Sequence, residues 1–323
     1  MTRRPLPHAG LALALPVVSS LFLLSHGEAV AAGACSSTAK TMSSACASDV
    51  QDNFLVTTAA CINIGDDGER KECLKEAKAE RDEGRKLCKE QLRARRDVCG
   101  ELGEGRYDPD FEPENFVNPL EIGGSVAPNP YFPLEQGRSW VYESEDETVT
   151  VTVTDRTKLI EGVRCLVVTD VVQGDGKSVE VTEDWFAQDT AGNVYYCGEL
   201  VQNFEEQEDG EAELVDLDGS FKVGRDFAKP GLIMPAVPEV GFAYRQEFAL
   251  GEAEDVARIV AIDASETTPG GSCSGDCIKT EEFTPIEPDV LENKFYAPGI
   301  GFMLEVDPES GDRLELIETK IGG

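Results

Sequence analysis

Carboxylates are the reactive groups that this sequence holds in quantity: 62 of its 323 residues are Asp or Glu, against 29 Lys and Arg, for a net charge of -33. The only two histidines, His8 and His26, fall in an apolar leader. A processed chain would hold none, which excludes Ser-His-Asp and Cys-His catalysis and histidine-ligated zinc or copper. Glu183, Asp184 and Glu199 are the acids best placed to act as a pair, because glycoside hydrolysis needs two carboxyl groups roughly 5–9 Å apart across a sugar. Trp185, Tyr195 and Tyr196 beside them could stack on sugar rings. In so acidic a chain such pairs also arise by chance, and a tryptophan on a strand usually packs in a core. Ser37 and Lys40 match a Ser-x-x-Lys pattern, but on a helix between Cys35 and Cys46 the match is accidental.

Asp108, Asp110, Glu112 and Glu114 alternate in a Pro- and Gly-rich stretch and could supply oxygens to Ca²⁺, the one cofactor the composition suggests. Their spacing is not the Asp-x-Asp-x-Asp-Gly of a calcium loop, so a solvated acidic linker is the plainer reading. The acidity argues against nucleic acid and anionic membrane surfaces, whose phosphates need Lys and Arg. Hydrophobic residues make up 41% of the chain, enough for a packed core.

Arg3 and Arg4 precede an apolar run from Leu11 to Leu24 and the small residues Ala29, Val30 and Ala31. This is the pattern of a signal peptide over residues 1–34, cleaved near Ala31 to Ala34, and it implies a secreted or periplasmic protein. Pro16 and the shortness of the run argue against a transmembrane segment, and no later run is long enough to form one. Cys35 could instead be a lipoprotein acylation site, but Ala32 stands where a branched apolar residue is usual.

Ten cysteines in an exported chain favour five disulfides. Cys35, Cys46, Cys61, Cys73, Cys88 and Cys99 are spaced palindromically about Asp67, in the turn Gly65-Asp66-Asp67-Gly68. An antiparallel helical hairpin folded there, over residues 35–102, selects the nested pairing of Cys35 with Cys99, Cys46 with Cys88 and Cys61 with Cys73. The second helix is rich in strong helix formers, whereas "NFLVTTAA" weakens the first. The second helix is also the only basic segment, which suggests docking on the acidic remainder of the chain through residues such as Lys75, Lys78 and Lys86, or on an acidic partner.

Residues 103–133 read as an extended acidic linker or strap. From residue 134 to 323 the pattern turns to period two, in "SWVYES", "ETVTVTVT" and "VRCLVVTDVV", with turn residues every ten or so positions. The fold class expected is therefore α+β: a disulfide-stapled helical hairpin followed by about ten to twelve antiparallel strands in a curved sheet, half-barrel or sandwich. Cys165 and Cys197 would cross-link two strands, and Cys273 with Cys277 would close a small loop. Their C-x-x-x-C spacing is not that of a thioredoxin-like redox site. Leu232, Ile233 and Met234, in a Pro-rich break between strands, must cover an apolar face or line a pocket.

The run Asp184-Trp185-Phe186-Ala187-Gln188-Asp189 with Gly192-Asn193-Val194, and the closing Tyr296-Ala297-Pro298-Gly299-Ile300-Gly301, resemble the motifs of an uncharacterised group of exported bacterial β-rich proteins. The likeness covers residues 129–318, and its last motif is also similar to the final strands of periplasmic lipoprotein-like half-barrels. The resemblance implies a β-rich binding or scaffold module and carries over no catalytic residue. The function expected is that of an exported non-enzymatic protein binding a small apolar ligand or a protein partner, with Trp185, Tyr196, Leu232, Ile233 and Met234 as ligand candidates. A Ca²⁺-stabilised surface protein and a carboxylate-dependent glycoside hydrolase are the alternatives.

Overall fold

A computed structural model describes residues 33–174, 177–206 and 212–321; apart from Gly33 and Ala34, the predicted signal segment lies outside them. Two long helices, α1 (Ala34–Ile62) and α2 (Asp67–Leu102), form the antiparallel hairpin. Asp66 begins α2 by accepting the Gly68 and Glu69 N–H groups at 2.7 and 2.9 Å, which satisfies donors that the first helical turn leaves free. Gly103 ends it with φ 85°, its N–H bonded to the Cys99 carbonyl. All three nested disulfides are present, with Cα separations of 5.7, 5.8 and 5.7 Å. They explain why the less helix-prone α1 is helical throughout. The hairpin buries few side chains, Ala39, Ala77 and Val98 among them, and leaves Leu55, Val56 and Ile62 exposed. The cross-links, each worth about 2–4 kcal/mol, replace the apolar stripe it lacks.

The rest of the chain builds one antiparallel sheet, so the sandwich is ruled out. Its first part is a meander of β1 (Ser139–Glu143), β2 (Glu147–Ile160), β3 (Val163–Gly174), β4 (Lys177–Gln188), β5 (Val194–Glu206) and β6 (Ala212–Asp216). Its last part is a second meander of β9 (Val256–Thr268), β10 (Gly271–Phe283), β11 (Leu291–Ala297), β12 (Gly301–Val306) and β13 (Arg313–Lys320). The first and last strands, β1 and β13, pair from Ser139–Lys320 to Glu143–Glu315 and join the meanders. Two short strands finish the outer edges, β7 (Gly231–Met234) on β5 and β8 (Ala243–Arg245) on β9. These edges then meet: the Lys229 N–H donates to the Phe248 carbonyl at 2.9 Å and the Tyr244 hydroxyl to the Ile233 carbonyl at 3.3 Å. The sheet thereby curls toward a barrel, which protects edges that would otherwise present unpaired strands.

Closure depends on Gly231, where an added Cβ would lie 1.7 Å from the Gln246 carbonyl oxygen. Gly231→Ala is expected to lower stability by at least about 1–3 kcal/mol. Gly100→Ala, on an exposed face of α2 with no atom within 4 Å of the added methyl, is expected to be neutral or to stabilise by up to about 1 kcal/mol. Comparison of the two melting temperatures checks this, and equal effects would contradict the closure.

Strand alternation produces two cores. Leu166 and Val168 of β3 and Phe186 of β4 face inward with Trp140, Ile278 and Leu316. Cys165 and Val167 of β3 and Trp185 and Ala187 of β4 face outward, into a second cluster. Burial of both faces is why β3 reads as an almost unbroken apolar run. Residues 103–133 cover part of the outer cluster as a strap, not a free linker. Phe111 and Phe116 pack on it, and the Val117 N–H bonds the Gln188 carbonyl at 3.1 Å. Two short 3₁₀ turns, Pro113–Asn115 and Pro119–Glu121, interrupt the extended course expected for this segment.

Two cysteine expectations are refined. Cys165–Cys197 links β3 to β5, with β4 between them in the sheet. Cys273–Cys277 lies within the single strand β10, at an irregularity in its pairing with β9, and does not close a loop between strands.

Candidate functional site

The concave face of the sheet encloses a cavity of about 270 Å³. Its apolar wall includes Trp140, Val151, Val168, Phe186, Ile233 and Phe302, and its polar side is formed by Asp170, Asp184, Glu247, Asp255, Glu282 and Lys294. A second hollow shares Glu247, Asp255 and Glu282 with this cavity and is also lined by Glu180, Glu199 and Glu292. An apolar enclosure with a few convergent polar groups is the usual form of a small-molecule site.

A bulge positions the central group. Tyr196 and Glu199 are three residues apart on β5, which in a regular strand would put them on opposite faces. The pairing of β4 with β5 shifts register between Trp185 and Phe186, so Tyr196 pairs with Phe186 and Glu199 with Asp184. Gly198, at φ 123°, makes the bulge possible, because a Cβ there would lie 2.4 Å from the Phe221 carbonyl oxygen. Tyr196 stacks on Phe186 with ring centroids 4.7 Å apart and donates its hydroxyl to Asp184 Oδ1.

Burial, reinforced by neighbouring acids, governs the electrostatics. It pushes Asp170 up to about 8, with Asp184 and Glu180 adding to the effect. Asp184 is pushed up to about 6, against the pull of its bond from Tyr196. Burial and Asp184 drive Glu199 well above the usual carboxylate range, and burial and Asp255 do the same for Glu247. Asp255 is raised by burial too. Glu282 goes the other way: burial opposes its charge, but Lys294 and bonds from Thr280, Gln246 and Tyr296 hold it below the usual range. Lys294 is ion-paired with Glu292, Glu282 and Glu305 at 3.0, 3.3 and 3.4 Å. The remaining acids of the cluster therefore hold their protons more tightly than exposed carboxylates do, because each is buried beside others.

The residues singled out in the sequence are divided by this geometry. Tyr196 and Ile233 line the cavity, whereas Met234 is fully buried and Leu232 packs against the surrounding core. Trp185 faces outward, with Lys158 Nζ 3.1 Å from its ring centroid, and Tyr195 packs against Phe116 of the strap. Among the three paired-acid candidates, Asp184 and Glu199 share the inner face, while Glu183 points outward to Arg156 at 2.5 Å. Asp108 is bonded to Lys229 at 2.7 Å, and Asp110 accepts from Asn115 and from the Glu112 N–H. Glu112 and Glu114 are exposed, and among the described residues no three ligating side chains converge as a metal site. Trp140 and Asp170 were missed, although the alternation in "SWVYES" and "VRCLVVTDVV" places both on the face of their apolar neighbours.

Fold and site together define a disulfide-stapled helical hairpin joined to a curved antiparallel sheet around an acid-floored apolar cavity. No family model, curated protein or solved structure matches the chain.

Proposed function

We propose that the protein is an exported, non-enzymatic binding protein whose curled sheet holds a small apolar ligand. The cavity carries this reading: the inner core leaves a space open on the concave face, lined by the aromatic and aliphatic side chains of Trp140, Val151, Val168, Phe186 and Phe302. Five disulfides, with no free cysteine among the described residues, support an oxidising compartment, periplasmic or extracellular. No described helix is long and apolar enough to cross a membrane. The motif resemblance to exported β-rich proteins supports the same reading.

The two tryptophans provide a test, since Trp140 lines the cavity and Trp185 faces outward. In a Trp185→Phe variant, titration with octanol is expected to shift the remaining fluorescence saturably. In a Trp140→Phe variant the signal should stay flat. No saturable change in either variant would overturn the reading.

The cross-strand pair Asp184 and Glu199 favours glycoside hydrolysis as the second reading, because the two carboxyls differ in how strongly they hold a proton. Turnover of an aryl glycoside that disappears in Glu199→Gln would support it over binding alone.

A further inference from the structure

We infer that the head group this cavity receives is a protonated amine, so that its ligand is an amphiphilic cation. The inference rests on the cavity being a ligand site, and it specifies the chemistry at the polar end.

The first observation is an orphaned atom. Asp170 Oδ1 is buried at the cavity wall and has no hydrogen-bond partner among the described residues. A buried polar atom without a partner costs roughly 1–3 kcal/mol, and such groups in a folded protein call for an explanation. Nothing in strand geometry requires an acid there: Val168 and Val172, the neighbours on the same face of β3, are apolar and pack with the core. An incoming donor would remove the cost.

The second observation is an imbalance of charge. Asp170, Asp184, Glu247, Asp255 and Glu282 line the cavity with one cation, Lys294. That lysine is spent on Glu282, Glu292 and Glu305. Asp170 and Asp184 line the cavity with Phe186 and Val168, and no ion pair to either acid is seen among the described residues. Asp170 holds a proton in the empty cavity near neutral pH, and an ammonium beside it would favour the carboxylate and release that proton to solvent; an anionic head group would gain no such partner, and a neutral hydroxyl would offer a single donor. An ammonium offers three donors and a full charge. The tail would lie along Trp140, Val151 and Phe302. The chain's net charge of -33 works in the same direction, drawing cations toward the protein.

The test titrates octylamine, octanol and octanoate into the exported, disulfide-bonded protein, following Trp140 emission in the Trp185→Phe background. Octylamine is expected to bind about tenfold or more tightly than octanol, as charge-assisted hydrogen bonds imply, with octanoate weakest. Asp170→Asn keeps the shape of the side chain and cannot carry the charge. It is expected to remove most of the amine preference and to leave octanol affinity within about twofold, a result that also shows the cavity intact. Asp184→Asn serves as the second variant. Octanol binding as tightly as octylamine would overturn the amine head group and leave the apolar-ligand reading standing. Failure of all three ligands to bind would overturn both. An amine preference that persists undiminished in both variants would place the cation on the acidic surface and overturn the assignment to this cavity.

Discussion

Replacing Arg95 with methionine is expected to loosen the helical hairpin from the sheet and to cost about 3–5 kcal/mol, the usual penalty for breaking a buried ion pair from one side. The Arg95 and Glu254 side chains are 6% and 2% exposed. The guanidinium binds in a fork, Nε to Oε2 at 2.9 Å and Nη2 to Oε1 at 2.6 Å, and Oε1 also accepts the Gly251 N–H at 2.8 Å. Gln91 to the Ile286 carbonyl and Glu101 to Arg258 complete the contact along the last turns of α2. The basic helix therefore docks on the acidic part of its own chain, but through Arg95. Lys75 and Lys86, expected from the sequence to dock, pair within the helix with Glu72 and Glu90. Arg95→Met leaves Glu254 buried without its partner, whereas the double variant Arg95→Met/Glu254→Leu removes both charges and is expected to regain most of the loss. Denaturant midpoints for the three proteins check this. A single-variant loss below about 1 kcal/mol, the range of exposed pairs, would contradict the role given to this bridge.

The second large effect is on pH. Asp170 and Asp184 titrate at about 8 and about 6 in the folded protein and near 3.9 when unfolded. Because the folded state holds their protons more tightly, the stability they contribute is complete below about pH 4 and is lost as the pH rises through 6 and then 8. Exposed acids such as Asp66 and Asp307 are held low by backbone N–H groups, so their contribution is lost in the opposite direction, below about pH 4. The melting temperature is thus expected to peak near pH 4–5 and to fall by roughly 10–20 °C at pH 8, as a loss of about 5 kcal/mol would produce. Asp170→Asn, which removes the group with the higher value, should flatten the descending limb and melt above the parent at pH 8. A midpoint that rises from pH 5 to pH 8, or a variant with the parent's profile, would contradict the buried-acid assignment.

Much of the hairpin was legible because its information is local and redundant: six cysteines, one turn and a helix-forming sequence all require the same fold. The strands were legible from their period of two, but not which of their faces forms the cavity. Trp185 shows why. The strap and the segment around Val223 bury the outer face of β4, so an outward tryptophan has the same sequence signature as an inward one. The bulge at Gly198, which brings Glu199 to the side of Asp184, depends on the approach of Phe221, and curling of the sheet depends on Gly231 meeting Gln246. Both are contacts between distant segments that no periodicity encodes. Asp170 is the clearest case: its alternation with Leu166 and Val168 was readable, but its isolation follows from neighbours on other strands.

The most direct measurement is a crystal structure of the disulfide-bonded protein with octylamine. Density inside the curled sheet is expected, with the ammonium within hydrogen-bond distance of Asp170 and Asp184 and the tail against Trp140 and Phe186. An empty cavity at a saturating amine concentration, or amine bound only on the outer surface, would contradict the assignment of this interior as a ligand site.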